Sequence, residues 1–506
     1  MGENDDGKDI VAELAERLSG RVIVSADIDR ELFKGHDVES LIARIISYFS
    51  DKSGIQVLDN GSLSDILSKI KEEKAPMPIE VLPSSEFRPI AKETADNFKI
   101  RKLELETTAS NSETFRDYFR SRFSKIAGIL DKNGSILLNG MLNHISSIKN
   151  YANGREITIL GMVYDKITTK NGHVLLTLED ESGSAKVLFP RSESGAAKST
   201  FETANRILPE DIIVVKGKIS GSLLIASSVI WPDIPIHRVM PSEDDVAIAF
   251  ISDMHVGSKL FLEKQFDTLL KWLNGRIDYR KDFAGKIKYI ILNGDLVDGI
   301  GIYPEQEKEL AIPDIYKQYS VLFNLLDAIP DYIHVFVLPG NHDAVQRAEP
   351  QPELPKEFFG DVQSNIHLLQ NPSNISIHGI KVLAYHGTSL DSIIHSLPQC
   401  SYARPETAMA ELLRRRHLSP IYGGNIVTPT RNDLMVIDDV PDIFHAGHVH
   451  KNAVADYHGT IMINSGTWQA RTIFQVKQGH IPSPALLPVY EAKSLNVSII
   501  DFNSVA

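Results

Sequence analysis

The sequence predicts a multidomain chain: an all-α module at the N-terminus, a small β-barrel in the middle, and an α/β sandwich making up the C-terminal half. Three observations predict it. Apolar residues recur at helical spacing up to about residue 72. Five short β-rich runs separated by turn signals fill 155–231. From about residue 241, β-branched runs alternate with amphipathic helices, and short motifs of Asp, His and Asn follow the ends of those runs. The length of 506 residues agrees with about three domains.

In the module at 1–72, Ile10, Val11, Leu14 and Leu18 recur at helical spacing and stop at Gly20. Asp37 can cap a second helix bearing Leu41, Ile45, Tyr48 and Phe49. Ser62 or Ser64 opens a third, with Leu63, Ile66, Leu67 and Ile70. Such a module serves either as a packing element or as a protein-docking domain, and the residues do not separate the two. At 73–114, Pro76, Pro78, Pro83 and Pro89 interrupt a polar stretch, which reads as a flexible linker. The next region, 115–240, opens with an amphipathic helix. Phe115, Tyr118, Phe119, Phe123, Ile126 and Ile129 alternate with Arg116, Arg120, Arg122 and Lys125. Aromatic and basic residues together can contact nucleic acid, but the expected role is packing of the aromatic face on the next domain.

The runs 157–163, 174–180, 185–189, 212–219 and 223–225 read as strands, and Asp180-Glu181-Ser182-Gly183 as a hairpin turn. Five short strands with this hairpin resemble an OB-fold. That fold binds single strands in some proteins and serves as a packing module in others.

Region 241–506 carries the chemistry. Helices are expected at 261–273, ending at Gly275, and at 316–329, stopped by Pro330. The apolar runs 246–251, 287–292, 333–338 and 380–384 lead into Asp253-Met254-His255, Gly294-Asp295, Gly340-Asn341-His342-Asp343 and His386-Gly387, and Gly447-His448-Val449-His450 completes the series. Ligands at one edge of a sheet are where α/β folds build their sites. A two-metal hydrolytic centre needs a bridging carboxylate flanked by imidazole and oxygen ligands. The two-residue spacing of Asp253 and His255 puts both on one face of an extended segment. Asp295, after a glycine, is the natural bridge. Asp253, His255, Asp295 and His450 are assigned to one metal, and Asp295, Asn341, His386 and His448 to the other. His342 is left over and becomes the catalytic candidate, stabilising the transition state or protonating the leaving oxygen. Asp343 is expected to orient it, and His445 to play a structural or supporting part.

The five motifs resemble the calcineurin-like metallophosphoesterase superfamily over about 247–465. That superfamily includes phosphatases, phosphodiesterases and nucleases, so its motifs give the reaction class and not the substrate. Three further blocks are more specific: Pro441-Asp442-Ile443-Phe444-His445-Ala446-Gly447-His448-Val449-His450, Asn464-Ser465-Gly466-Thr467-Trp468-Gln469, and the Pro-rich 479–490. With Leu412-Leu413-Arg414-Arg415-Arg416-His417-Leu418, they resemble the small subunits of the archaeal D-family DNA polymerase. The resemblance implies a 3′→5′ proofreading exonuclease using two divalent ions, manganese first and Mg2+, Fe2+ or Zn2+ as alternatives. It also implies a large polymerising subunit and a DNA primer end as partners. It tips 479–490 toward the contact between subunits. The alternatives are a structural polymerase subunit with a silent site, and a phosphatase acting on a substrate other than nucleic acid.

Bulk properties set limits on this. The formal charge of -13 argues against coating nucleic acid by net positive charge, but does not exclude nucleic acid as substrate, since bound cations or a partner subunit can supply the positive field. No apolar run reaches the ~20 residues that span a bilayer. The acidic start, Met1-Gly2-Glu3-Asn4-Asp5-Asp6, lacks the pattern of a secretory signal. The single cysteine, Cys400, rules out an intrachain disulfide framework and fits a reducing cytoplasm.

Overall fold

The computed structural model describes residues 22–25, 45, 56–64, 66, 87–105, 111–132, 142–358, 360 and 362–505. Residues 1–80 and 81–506 form two compact units. In the first, Val22–Val24 pairs in parallel with Gln56–Leu58. The all-α reading of 1–72 is therefore corrected: two short β-branched or apolar runs form a strand pair that helical spacing does not register. Residues 60–64 are helical, and the cap is Asp59, whose Oδ1 accepts the Ser62 N–H at 2.8 Å. The helices expected near 10–20 and 37–49 lie outside the described residues, Ile45 excepted.

The linker reading is corrected as well, over 87–105. Ile90–Glu93 is a helical turn, and Phe98–Arg101 is a strand antiparallel to Ser373–Ile377. Phe98 and Ile100 turn inward while Lys99 and Arg101 face water. The Phe98 ring packs against Phe336 and Tyr289, with centroids at 5.2 and 6.1 Å. A four-residue alternation is too short to outweigh four prolines in a compositional reading, yet it is enough to fill a sheet edge.

Helix Ser112–Lys132 follows. Ile126, Ile129 and Leu130 bury themselves against Ile212 and Val214 of the barrel and against Val436. Its apolar face is thus a packing face. Arg122, one of the basic residues alternating with the aromatic ones, is buried on a salt bridge to Asp433 at 2.8 Å.

The barrel closes as expected from its strands. Glu156–Thr168, Val174–Asp180, Gly183–Phe189, Leu223–Ile230 and Ile212–Ser220 pair in that spatial order, and the last returns to the first. Alternate residues, among them Ile157, Ile159, Leu176, Leu178, Val187 and Val215, fill the interior.

The rest is built on two six-stranded sheets. In the first, Ala247–Ile251, Ile287–Asn293, His334–Leu338 and Ile366–Leu368 run parallel. Leu486–Glu491 and Asn496–Asp501 add an antiparallel pair at the other side. In the second, Ile380–Ala384, Ile443–Ala446 and Thr460–Ser465 run parallel. Inward residues of both sheets, including Ile248, Phe250, Ile291, Phe336, Val382 and Ile463, share one core. Strands Ala247–Ile251 and Ile287–Asn293 are buried along their whole length, as parallel strands covered on both faces are.

The assignment of 479–490 to a subunit contact is corrected for its second half. Leu487, Val489 and Tyr490 are buried in a central strand. Pro488 is tolerated there because the ladder to Ala247–Ala249 ends at Val489, so no N–H is required of it on that side. Among the described residues, no helix is long and apolar enough to cross a membrane.

Candidate metal centre

The candidate residues all lie just past the C-terminal ends of parallel strands in the two sheets. Asp253 and His255 follow Ala247–Ile251, Asp295 follows Ile287–Asn293, and Asn341 and His342 follow His334–Leu338. His386 follows Ile380–Ala384, and His448 and His450 follow Ile443–Ala446. The segments are not extended, which corrects the reason given for the Asp-x-His spacing. Asp253, His255, Asp295, His448 and His450 have φ of 52°, 52°, 49°, 67° and 56°. Five non-glycine residues in the left-handed region at one site is stored strain, held by the surroundings. The Asp253 carbonyl accepts the Trp468 N–H at 3.0 Å and the Thr467 hydroxyl at 2.8 Å. The His255 N–H donates to the Asp295 carbonyl at 3.0 Å. Two motif glycines are there for closeness: a Cβ on Gly340 would collide with Asp295 Oδ1, and one on Gly447 with Asp253 Oδ2.

The side chains converge. His450 Nε2 lies 3.3 Å from Asp253 Oδ1 and 3.0 Å from His255 Nε2. His386 Nε2 lies 3.3 Å from Asp295 Oδ1 and 3.1 Å from Asn341 Oδ1. Asp253, His255 and His450 are close enough to hold one metal ion, and Asp295, His386 and His448 another. Asp295 also lies 3.9 Å from His255 Nε2, so it stands between the two groups. The sets expected from the motifs differ from these in adding Asp295 to the first and Asn341 to the second.

Supporting partners fix the rings. Asp298 Oδ1 takes His255 Nδ1 at 3.1 Å, the Asn293 carbonyl takes His386 Nδ1 at 2.9 Å, and Asp391 Oδ2 takes His448 Nε2 at 3.0 Å. In His255 and His386 the other nitrogen, Nε2, faces Asp295, the arrangement a metal-ligating histidine needs. His255, Asp298 and His342 also lie close enough to share an ion, but both Nδ1 atoms are already engaged by Asp298. Neither Asp298 nor Asp391 was singled out from the sequence. Asp298 was within reach, three residues after Asp295, but a lone Asp in an apolar stretch carries no signal of its own.

The electrostatics follow from burial among opposite charges. Burial opposes charge on His386, but Asp295 and Asp253 more than offset it and hold the imidazole at about 10. Burial would raise Asp295, yet His386 and His342 keep it well below the usual carboxylate range. Asp391, opposed by burial and favoured by His448, falls to about 2.

His342 stands beside this group. Its Nδ1 lies 2.8 Å from the Asp298 carbonyl, and its Nε2 3.9 Å from Asp295 Oδ2. Burial pushes it below the ordinary imidazole range. Asp343 does not orient it, a second correction. Asp343 Oδ2 accepts the Gly340 N–H at 2.7 Å and the Leu296 N–H at 3.3 Å, and Oδ1 accepts the Tyr319 hydroxyl at 3.0 Å. Burial, then Asp295, raises Asp343 to about 7. It shapes the loop and not the imidazole. His445 lies beneath the site, with Nε2 2.9 Å from the Ser465 hydroxyl and its ring edge-on to Phe250, and burial lowers it to about 3. That is a supporting position.

A cavity of about 760 Å³ opens over the cluster. Tyr303, Tyr402, Gln475, Gly479 and His480 line it together with the candidate ligands. His480 packs on Tyr402 at 4.0 Å between centroids. The first residues of the Pro-rich block thus border the site.

The sequence matches known proteins over most of its length. Residues 248–454 match the family of DNA polymerase alpha/epsilon B subunits. A DNA polymerase II small subunit from Archaeoglobus fulgidus is 36% identical over 478 residues, covering 91% of this chain and 94% of that one. Its counterpart from Pyrococcus horikoshii is 36% identical, covering 84% and 70%. That from Methanothermobacter thermautotrophicus is 39% identical, covering 74% and 76%. Identity of this extent over nearly the full length of a relative places the chain in the family of archaeal DNA polymerase II small subunits.

Proposed function

We propose that the cavity is a two-metal phosphodiesterase centre that removes nucleotides from a DNA 3′ end, so that the chain proofreads within a polymerase whose large subunit synthesises DNA. The observation that carries this reading is the donor set. His255 and His386 each have Nδ1 engaged by an oxygen and Nε2 turned toward Asp295, His386 Nε2 also meets the Asn341 amide oxygen, and His448 is grouped with them. Asp253, His255, Asp295 and His450 would hold one ion, and Asp295, Asn341, His386 and His448 the other. Such ions, Mn2+ first with Mg2+, Fe2+ or Zn2+ as alternatives, supply polarisation of the phosphoryl group and activation of the attacking water.

The chain's own residues do the rest. Asp298, the Asn293 carbonyl and Asp391 orient the ligands. His342, fixed through Nδ1 on the Asp298 carbonyl, presents Nε2 to the cavity. A phosphodiester anion brought beside it favours the charged imidazole, which then donates from Nε2 to a phosphoryl oxygen or to the departing O3′. The chain's charge of -13 gives it little bulk attraction for DNA, so delivery of the primer end falls to the large subunit.

The test is a metal-dependent digestion assay on the two-subunit complex, comparing single-stranded, 3′-mismatched and matched duplex DNA. Shortening from the 3′ end, with mismatched and single-stranded ends removed first, is the expected result. No digestion with any of the four metals would leave the silent structural subunit as the better account.

A further inference from the structure

Of the four candidate histidine ligands, three present their outer ring nitrogen to an oxygen, and His450 does not. Its Nδ1 lies 2.8 Å from Nε2 of Gln475. The Gln475 amide is not free to choose its orientation. Its Oε1 accepts the Thr472 N–H at 3.1 Å, while the Gln475 N–H donates to the Thr472 hydroxyl at 3.2 Å. This reciprocal cap opens the helix Ile473–Gln478. With Oε1 so occupied, the amide turns its NH2 toward His450, and an N–H can be accepted only by a bare Nδ1. The hydrogen of neutral His450 then sits on Nε2, the atom facing Asp253 Oδ1 and His255 Nε2. A cation at that place needs a lone pair on Nε2, hence a hydrogen on Nδ1 and an oxygen opposite it.

We propose that Gln475 is a positioning residue whose amide turns over when a divalent cation enters the group formed by Asp253, His255 and His450. In the turned state Oε1 accepts from His450 Nδ1, and Thr472 loses its acceptor. Metal occupancy is thereby coupled to the cap of Ile473–Gln478, the short helix that carries Gly479 and His480 into the cavity wall. The inference rests on the metal-centre reading and adds to it a route by which loading alters the wall beside the substrate.

The test uses the full chain with Mn2+ as probe and two readouts, calorimetric affinity and amide hydrogen exchange over 472–480. In the unaltered chain, Mn2+ should speed exchange at Thr472 by roughly fivefold or more, because its hydrogen bond is given up. Gln475→Glu has carboxylate oxygens for both Thr472 and His450, so it should bind Mn2+ at least as tightly and show no such change. Gln475→Leu should weaken Mn2+ binding by about 10–100-fold, the usual cost of losing a partner of a ligating histidine. Full Mn2+ uptake with unchanged exchange at Thr472, or undiminished affinity in Gln475→Leu, would overturn the amide turn while leaving the metal centre standing. A chain that takes up no Mn2+ would overturn both.

Discussion

Asp433 and Asp295 are both buried carboxylates, one beside a single histidine and the other among several, and they differ in what supplies the positive charge. Asp433 Oδ2 accepts from Arg122 Nε at 2.8 Å and faces His417 Nε2 at 2.9 Å, while Oδ1 accepts the Met435 N–H at 2.9 Å. The other nitrogens of Arg122 reach the Pro420 carbonyl at 3.0 Å and the Tyr118 hydroxyl at 2.7 Å. In that network a protein cation neutralises the carboxylate, and each nitrogen of Arg122 meets an acceptor. The network pins helix Ser112–Lys132 to the loops before and after residue 420. Around Asp295 imidazoles, His386 first among them, take the place of the guanidinium. None of the residues lining that cavity is Lys or Arg. Ring nitrogens instead face one another, as His255 and His450 do at 3.0 Å. A closed network of this chemistry stabilises a fold; we propose that the open one is completed by something bound.

The contrast is sharpened most strongly by Asp295→Asn. An amide in place of the carboxylate that stands between the two groups should remove both ions together and reduce 3′ digestion to background, read by metal analysis and by the digestion assay. His342→Ala comes next. It should lower digestion by roughly 10²–10⁴-fold while both ions stay bound, since His342 belongs to neither of the two assigned ligand sets and its Nε2 lies 3.9 Å from Asp295 Oδ2. Loss of metal in that variant would make His342 a ligand instead. Asp433→Asn acts on the other network and should do the reverse. It leaves a buried guanidinium without its counter-charge, at a cost of about 3–5 kcal/mol of stability by denaturant unfolding, with metal content unchanged.

The smallest effect is in pH. Burial, and then Arg122, pushes His417 down to about 4. A group depressed in the fold stays neutral there while the unfolded chain takes up a proton. Its contribution is therefore fully present above the ordinary imidazole value near 6.5 and is lost as pH falls toward 4. His417→Gln should flatten the stability profile in that window, by at most about 1.4 kcal/mol per pH unit, and leave metal binding at pH 7.5 as it was. An unchanged profile would mean that His417 is not the titrating group.

The open cluster was legible in the sequence because each ligand follows a β-branched run. Asp253, Asp295, Asn341, His386 and His448 could be put at strand ends without knowing how the sheets pair. The left-handed backbone at five of these residues was not legible, since it is imposed by hydrogen bonds from remote segments such as Trp468 and Gly294. Nor were Asp298, Asp391 and Gln475, whose parts depend on which ring nitrogen faces which oxygen. The closed network was wholly missed. Arg122 looked like one more basic residue on an amphipathic helix, and Asp433 lies 311 residues away. Phe98–Arg101 and Pro488 went astray for a related reason. Proline content suggests irregular chain, but what matters is whether the missing N–H falls where a partner strand needs one.

We propose that two cations complete the Asp295 cluster and that none completes the Asp433 network. Native mass spectrometry of the full chain after Mn2+ loading tests it directly. Two ions per chain should be found in the unaltered protein and in Asp433→Asn, with neither retained in Asp295→Asn. Two ions persisting in Asp295→Asn, or an unaltered chain that holds none, would contradict it.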